Sequence, residues 1–133
     1  MELRAIGLVS SPLTDPEAAP KQADEGAPEA VLELFAEFAR GLDGVSAGDE
    51  VLVLTWLDRA DRGVLAVHPR DDVSNSETGV FATRSADRPN PIGLHRVRVL
   101  AVEGRRVRVE ALEAVDGTPV LDVKPVLGAV EGR

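Results

Sequence analysis

The stretch "LHRVRVLAVEGRRVRVEALEAV", residues 94–115, decides the fold class that the sequence predicts. Apolar and polar residues alternate along both of its halves, which is the period of half-buried β-strands. The halves meet at Glu103-Gly104, a pair typical of a hairpin turn. We therefore interpret residues 94–115 as a β-hairpin whose first strand carries Arg96 and Arg98 on one face.

Short apolar segments elsewhere in the chain are rich in strand-forming residues. Residues 51–57, "VLVLTWL", form a continuous apolar run typical of a buried strand. Further strands are predicted at residues 3–11, 62–69, 79–83 and 118–126. About seven closely spaced strands without alternating helices indicate a mainly β fold, either a barrel or a sandwich.

One segment, "PEAVLELFAEFARGL" at residues 28–42, has the pattern of an α-helix. Pro28 suits a first helical turn, and Gly41 suits the position after a helix end. The segment also carries an apolar stripe at helical spacing, which we expect to pack on the core. The stripe consists of Val31, Leu34, Phe35, Phe38 and Leu42.

Composition limits the functional classes. The 133 residues include no cysteine, which excludes disulfides and thiolate metal sites and fits a reducing cytoplasm. The two histidines, His68 and His95, lack metal-ligand spacing, and no glycine-rich nucleotide motif is present. No apolar run reaches the roughly 18 residues of a membrane span, and the first residues lack a signal-peptide pattern. We therefore expect one soluble domain over residues 1–133, without membrane or metal.

Charge is unevenly distributed along the chain. The net charge is −8, which argues against a general nucleic-acid-binding surface. Residues 84–108, however, carry seven arginines and two acidic residues, a balance of +5. Because the local field decides where an anion docks, this stretch is the candidate for anion binding.

The basic stretch begins in "TRSADRPNP", residues 83–91, which we call the RPNP loop. Its two X-Pro steps and fixed proline φ angles make it stiff, and Gly93 permits a tight exit into the next strand. Such a loop can present Arg84, Arg88 and Asn90 as a preorganised polar wall for a carboxylate or phosphate. Alternatively, the arginines pair with acidic residues of the body and the prolines only shape a turn.

A second motif, "DGTP" at Asp116–Pro119, has the residue types of a tight turn, and we call it the DGTP turn. The segments "AIGLVSSP", "APKQ", "GVFATRSADRPNPIGL" and "DGTPVLDVKP" follow one another in this order. Together they resemble the TsaA-like, TrmO-type family from residue 6 to about residue 125.

The resemblance implies a fold, a cofactor and a reaction. Family members are small β-barrel homodimers that bind S-adenosylmethionine near the subunit interface. They methylate N6 of threonylcarbamoyladenosine at position 37 of tRNA. The family motifs imply cofactor contacts at Pro20, Lys21, Gln22, Asp58, Arg59, Arg84, Leu94, Asp116, Gly117, Thr118 and Pro119.

For RNA phosphates we expect contacts from Arg88, Arg96 and Arg98. No catalytic residue is identified, and Asp58 is a candidate general base. The lack of an evident nucleophile or metal fits a reaction whose chemistry the cofactor carries. With the resemblance, the fold expectation becomes a single small β-barrel of about seven strands with one α-helix.

Two alternatives stay open. The acidic body, and Lys21 where the family usually has arginine, also fit a methyltransferase of a small molecule or of another nucleobase. A non-catalytic barrel that binds an anionic ligand through the basic loop is the other alternative.

Overall fold

The computed structural model describes residues 1–15, 26–69, 73–74 and 76–128. Within these ranges it has eight strands, numbered here in chain order. They are β1 (Gly7–Ser10), β2 (Ala30–Leu34), β3 (Glu50–Trp56), β4 (Ala66–Val67), β5 (Thr78–Gly79), β6 (Ile92–Glu103), β7 (Arg106–Val109) and β8 (Pro119–Pro125). Among the described residues, 3-10 helices lie at Ala36–Leu42 and Val80–Ala82.

Six of the strands form a closed barrel in the order β1-β2-β7-β6-β3-β8, and β4 and β5 pair in a separate two-stranded sheet. All of the pairings are antiparallel. The twelve residues of β6 pair with β3 over Ile92–Arg98 and with β7 from Val99 onward. A register shift between Val99 and Ala101 marks a β-bulge in the β6–β7 pairing, and such bulges bend a strand. The mainly β barrel and the β6–β7 hairpin are therefore confirmed.

The core lies inside the barrel and follows the strand alternation that the sequence predicts. In β6, His95, Val97 and Val99 are buried, whereas Arg96 and Arg98 are exposed. The buried apolar cluster comprises Val9, Ala30, Leu32, Leu34, Leu42, Val51, Val53, Val97, Val99, Val107, Val109, Leu112, Ala114 and Val120. Most of these side chains are small and branched, which suits the narrow interior of a six-stranded barrel.

The α-helix predicted from Pro28 is wrong over its first half. Ala30–Leu34 is strand β2, which lies between β1 and β7 and buries Ala30, Leu32 and Leu34. Only Ala36–Leu42 is helical, as a 3-10 helix, and Phe35 is 38% exposed. In the barrel, this segment pairs with a neighbouring strand on each side. The stabilisation from this pairing and burial outweighs the stability of a helix, whose apolar spacing the segment also satisfies.

The other predicted strands differ mainly in length. Residues 79–83 were predicted as a strand, but the paired β5 ends at Gly79 and Val80–Ala82 turns as a 3-10 helix. The amide of Thr83 then donates to the Val80 carbonyl, which completes the turn. The strand predicted at residues 62–69 is limited to Ala66–Val67, because β5 is its only ladder partner among the described residues.

Candidate functional site

Strand pairing brings three connecting segments to one end of the barrel. Trp56 at the end of β3 pairs with Ile92 at the start of β6, and Thr55 pairs with Val120 near the start of β8. Because these pairs are antiparallel, the turn after β3, the RPNP loop and the DGTP turn meet at the same end, which we call the site end.

The residues implied for the cofactor are distributed over these segments. Asp58 and Arg59 follow β3, Arg84 belongs to the RPNP loop, and Leu94 lies near the start of β6. Asp116, Gly117 and Thr118 lie directly before β8, and Pro119 is its first residue. Pro20, Lys21 and Gln22 lie outside the described residues.

The DGTP turn is bonded to the chain around β1. The Asp116 and Gly117 amides donate to the carbonyls of Leu13 (2.6 Å) and Val9 (2.7 Å). In return, the Ser11 amide donates to the Asp116 carboxylate at 3.0 Å. Gly117 has a φ of +83°, a left-handed conformation that glycine adopts without steric cost. These bonds hold the turn rigidly at the mouth of the barrel.

The bonding pattern also decides what the turn can offer a ligand. Thr118 is 3% exposed, and both its amide and its hydroxyl donate to the Val115 carbonyl. Pro119 has no NH group. Since the other two amides of the turn are bonded as well, the turn has only acceptors to offer: carbonyl oxygens and the Asp116 carboxylate.

Arg88 organises the RPNP loop from within. Its guanidinium donates to three backbone carbonyls, those of Thr83 (3.1 Å), Ser85 (2.9 Å) and Val80 (2.9 Å). The side chain is half-buried by this arrangement. A phosphate would have to displace these bonds, so the geometry gives Arg88 a structural role, and its contact with RNA stays a prediction.

Unlike Arg88, Arg84 is available to contact a ligand. Its side chain is exposed, and it makes no ion pair or hydrogen bond with the residues that the structure describes. The alternative in which the loop arginines pair with acidic residues therefore does not hold for Arg84. Its guanidinium presents a planar fork of donors suited to a carboxylate or phosphate.

Arg62 is a residue of this region that the sequence analysis missed. Its Nε donates to the Pro89 carbonyl at 2.7 Å, and its terminal nitrogen donates to Asn90 Oδ1 at 3.0 Å. The guanidinium carbon also lies 5.2 Å from the centroid of the Trp56 ring. Only the charged turn "DRADRG" after a buried strand marks this residue in the sequence, and such turns are common.

An apolar patch lies on the outside of the barrel beside the site end. On adjacent strands Leu54 pairs with Leu94 and Trp56 pairs with Ile92, and all four side chains face outward. Ile92 is 40% exposed and Leu94 is 39% exposed. We refer to these four residues as the outer apolar face.

Arg96 and Arg98 continue β6 beyond this face. Both point outward, as the alternation predicts. Arg96 donates to the Glu50 carboxylate at 2.9 Å, and each partner is more than 40% exposed, so the pair is weakly held. Arg98 lies opposite Glu50 in the ladder and is exposed. Their predicted contact with RNA phosphates stays a prediction.

Inside the barrel, below the site end, three polar side chains are linked to one another by hydrogen bonds. Thr55 Oγ1 is 2.7 Å from Nε2 of His95, and Nδ1 of His95 is 2.7 Å from Oε1 of Glu113. Thr55 is fully buried and His95 is 5% exposed. The second carboxylate oxygen of Glu113 is buried and has no hydrogen-bond partner among the described residues. In the sequence, these three residues are marked only by the inward-facing positions of Thr55 and His95 in two strands.

Asp58 and Arg59 lie in the exposed turn after β3. The Asp58 amide bonds to the Trp56 carbonyl at 3.0 Å, and nothing in the geometry marks its carboxylate as a base. In the described ranges no group of three histidine or acidic side chains is arranged to hold a metal ion. Neither helical segment described is long and apolar enough to cross a bilayer.

Comparisons with known proteins identify relatives of the chain. A family model described as the tRNA-methyltransferase O N-terminal domain matches residues 8–131. Two proteins of Archaeoglobus fulgidus, named "S-adenosyl-L-methionine-binding protein" and "Probable S-adenosyl-L-methionine-binding protein", are each 42% identical to the chain. The alignments cover 93% and 98% of this chain and 88% and 35% of those proteins, respectively.

A crystal structure titled TrmO from Pseudomonas aeruginosa has a similar fold. It is 30% identical with a TM-score of 0.79, and the match covers all of this chain. The chain spans 59% of that crystallised protein and 35% of the longer archaeal relative.

Proposed function

The chain belongs to the tRNA-methyltransferase O N-terminal domain family, and from this premise we propose that it is an S-adenosylmethionine-dependent methyltransferase. The observation that carries the proposal is the meeting of the RPNP loop and the DGTP turn at one end of the barrel. The loop offers donors through Arg84, and the turn has only acceptors to offer.

The residues at the site end fit the polar groups of S-adenosylmethionine. Its carboxylate matches the unpaired guanidinium of Arg84. Its amino and hydroxyl groups match the acceptor-only DGTP turn, and the Asp116 carboxylate also suits the cationic part of the cofactor. Leu94 and Ile92 supply apolar surface of the kind that covers an adenine ring.

When bound, the cofactor supplies an electrophilic methyl group on its sulfonium. The chain's own residues then act by position. A loop made stiff by two prolines and by the internal bonds of Arg88 holds its donors in place before the ligand arrives. Such preorganisation lowers the entropic cost of aligning the acceptor nitrogen with the methyl group.

For the methyl acceptor we propose N6 of threonylcarbamoyladenosine at position 37 of tRNA, in the cytoplasm where tRNA is modified. The family name and the basic balance of residues 84–108 support this acceptor. Arg96 and Arg98 face outward from β6, next to the outer apolar face, where an RNA backbone has access to them. The exposed pair of Arg96 with Glu50 costs little to exchange for a phosphate contact.

The working unit in this proposal is a homodimer formed through the outer apolar face. Ile92 and Leu94 leave a large share of their surface exposed, beside the half-buried Leu54 and Trp56. Burying this surface against a second copy gives a favourable free energy of association. It also brings a partner subunit next to Leu94 and the site end.

Transfer of labelled methyl groups tests the proposed reaction. The protein is incubated with methyl-labelled S-adenosylmethionine and with tRNA that carries threonylcarbamoyladenosine but lacks the methyl group. We expect label in the modified nucleoside at position 37, with Arg84→Ala protein giving little transfer. Label that enters a metabolite extract but not tRNA would favour a small-molecule methyltransferase. Cofactor binding without any transfer, or binding of an unrelated anion instead, would favour a non-catalytic barrel.

A further inference from the structure

Arg62 connects the turn after β3 to the tip of the RPNP loop. Two of its guanidinium nitrogens donate to consecutive residues of the loop, one to the Pro89 carbonyl and one to Asn90 Oδ1. A third contact places the guanidinium over the ring of Trp56. The planar fork of arginine suits this arrangement, because it can bond along its edge and stack through its face at once.

The chemistry of Arg62 decides which way the Asn90 amide points. A guanidinium has five donors and no acceptor, so only the carbonyl oxygen of the Asn90 side chain can face it. The Nδ2 amino group of Asn90 must then point away from Arg62. Asn90 is exposed, and its Nδ2 group has no hydrogen-bond partner among the described residues.

At the loop tip, Asn90 supplies the hydrogen-bond donors, through its backbone NH and its Nδ2 group. Pro89 and Pro91 precede and follow it, and neither has an NH group. The Asn90 carbonyl accepts from the Ile92 amide at 2.7 Å, which fixes the backbone as the chain enters β6. Nδ2 is therefore held by a rigid backbone on one side and by Arg62 on the other.

Arg62 is itself held in place by the turn that carries it. The Asp61 amide donates to the Asp87 carboxylate at 2.8 Å, and the Gly63 amide donates to the Asp61 carboxylate at 2.8 Å. The Asp61–Asp87 bond joins the turn after β3 to the RPNP loop at a second point, and the Gly63–Asp61 bond holds the turn itself.

We propose that Arg62 is a positioning residue that holds Asn90 so that its Nδ2 group donates a hydrogen bond to S-adenosylmethionine. The inference rests on the proposed function, because it assigns the donor to the same cofactor. It separates two arginines by role: Arg84 contacts the ligand directly, whereas Arg62 acts through Asn90.

A double-mutant cycle on cofactor affinity tests the connection between the two residues. We expect Arg62→Ala and Asn90→Ala each to raise the dissociation constant about 3- to 10-fold, the range for one lost hydrogen bond. The double variant should bind no more weakly than the weaker-binding single variant, because one residue acts through the other. Effects that multiply in the double variant would overturn the proposal.

Asn90→Asp separates positioning from loop stability. Aspartate keeps the bond to Arg62, and strengthens it by charge, but replaces the donor Nδ2 with an acceptor. We expect an unchanged melting temperature and a loss of affinity at least as large as that of Asn90→Ala. Arg40→Ala removes an exposed guanidinium from the 3-10 helix at Ala36–Leu42 and should leave the dissociation constant unchanged. An Asn90→Asp protein that binds the cofactor like the wild type would contradict the donor role.

A measurement without cofactor keeps the inference distinct from the proposed function. In NMR relaxation of the free protein, the Asn90 side-chain amide should be as ordered as the backbone, and Arg62→Ala should lower its order parameter. An order parameter that Arg62→Ala does not change overturns the positioning role. Wild-type protein that fails to bind S-adenosylmethionine contradicts the proposed function, whatever the relaxation data give.

Discussion

At the scale of single residues, His95 joins two parts of the polypeptide that are distant in the sequence. It bonds Thr55, 40 residues away, and Glu113, 18 residues away. The Thr55–His95 hydrogen bond passes close to Gly93 and explains why a residue with a side chain does not fit there. A Cβ there would collide with Thr55 Oγ1 and come within 2.8 Å of Nε2 of His95. Gly93, two residues after the RPNP loop, therefore leaves room for a buried polar bond.

The Thr55–His95 bond contributes to stability. Thr55→Val keeps the shape of the side chain but leaves Nε2 of His95 buried without a partner. We expect the free energy of unfolding, measured in urea, to fall by about 1–3 kcal/mol. The exposed Thr14→Val substitution should change it by less than about 0.5 kcal/mol. Equal stability of the two variants would show that the bond does not matter.

Arg84 and Arg88 stand four residues apart and should behave oppositely. Arg84→Ala should weaken S-adenosylmethionine binding by about tenfold or more, the scale of one charge-assisted bond, and leave the melting temperature unchanged. Arg88→Ala removes three hydrogen bonds to backbone carbonyls and should lower the melting temperature. Calorimetric titration and thermal unfolding measure the two effects. Unchanged affinity in Arg84→Ala contradicts its assignment to the cofactor.

At the scale of elements, β2 is the segment whose structure the sequence pattern misrepresents. Its residues fit a helical stripe, yet the structure buries every second one. The helical and strand interpretations differ in which of the neighbours Val31 and Leu32 faces the core. Val31 belongs to the helical stripe, whereas Leu32 is fully buried in the barrel.

A pair of alanine substitutions distinguishes the strand from the helix. Leu32→Ala should lower the free energy of unfolding by about 2–5 kcal/mol, because it leaves a cavity in the core. Val31→Ala, at a half-buried outward position, should cost less than about 1 kcal/mol. Urea denaturation of both variants gives the comparison. A larger cost for Val31→Ala would support the helix and contradict the barrel register.

At the scale of the whole molecule, barrel closure places the three site segments together. Strand β1 pairs with both β2 and β8, and β3 pairs with both β6 and β8, so no strand of the barrel can shift alone. The outer apolar face is an apolar surface beside this end that the chain itself leaves partly exposed.

Association through the outer apolar face is testable by sedimentation. Ile92→Arg places a charge in the centre of the proposed interface and should halve the sedimenting mass relative to the wild type. Leu127→Arg, at a residue that is 63% exposed beyond β8, serves as the matched control and should not change it. A wild-type monomer contradicts the dimer, and a dimer that survives Ile92→Arg contradicts this face.

The sequence by itself determined the elements whose patterns are local. The alternation of β6 and β7, the apolar run of β3 and the stiffness of the RPNP loop depend on residues next to one another in the chain. Because the alternation of a strand and the restriction of a residue before proline act over a few residues, the sequence reveals both directly. The family motifs extended the prediction to the barrel itself and to the cofactor.

Only the tertiary structure decided the contacts between distant residues. Whether Ala30–Leu34 is a strand depends on the two neighbours that the closed barrel supplies. Arg62 reaches Asn90 across 28 positions, and His95 finds Thr55 across 40. Such pairs carry no period in the sequence, because their separation is set by strand order and register. The physical reason is that strands pair according to their arrangement in space, and the register of each pair determines which side chains come into contact.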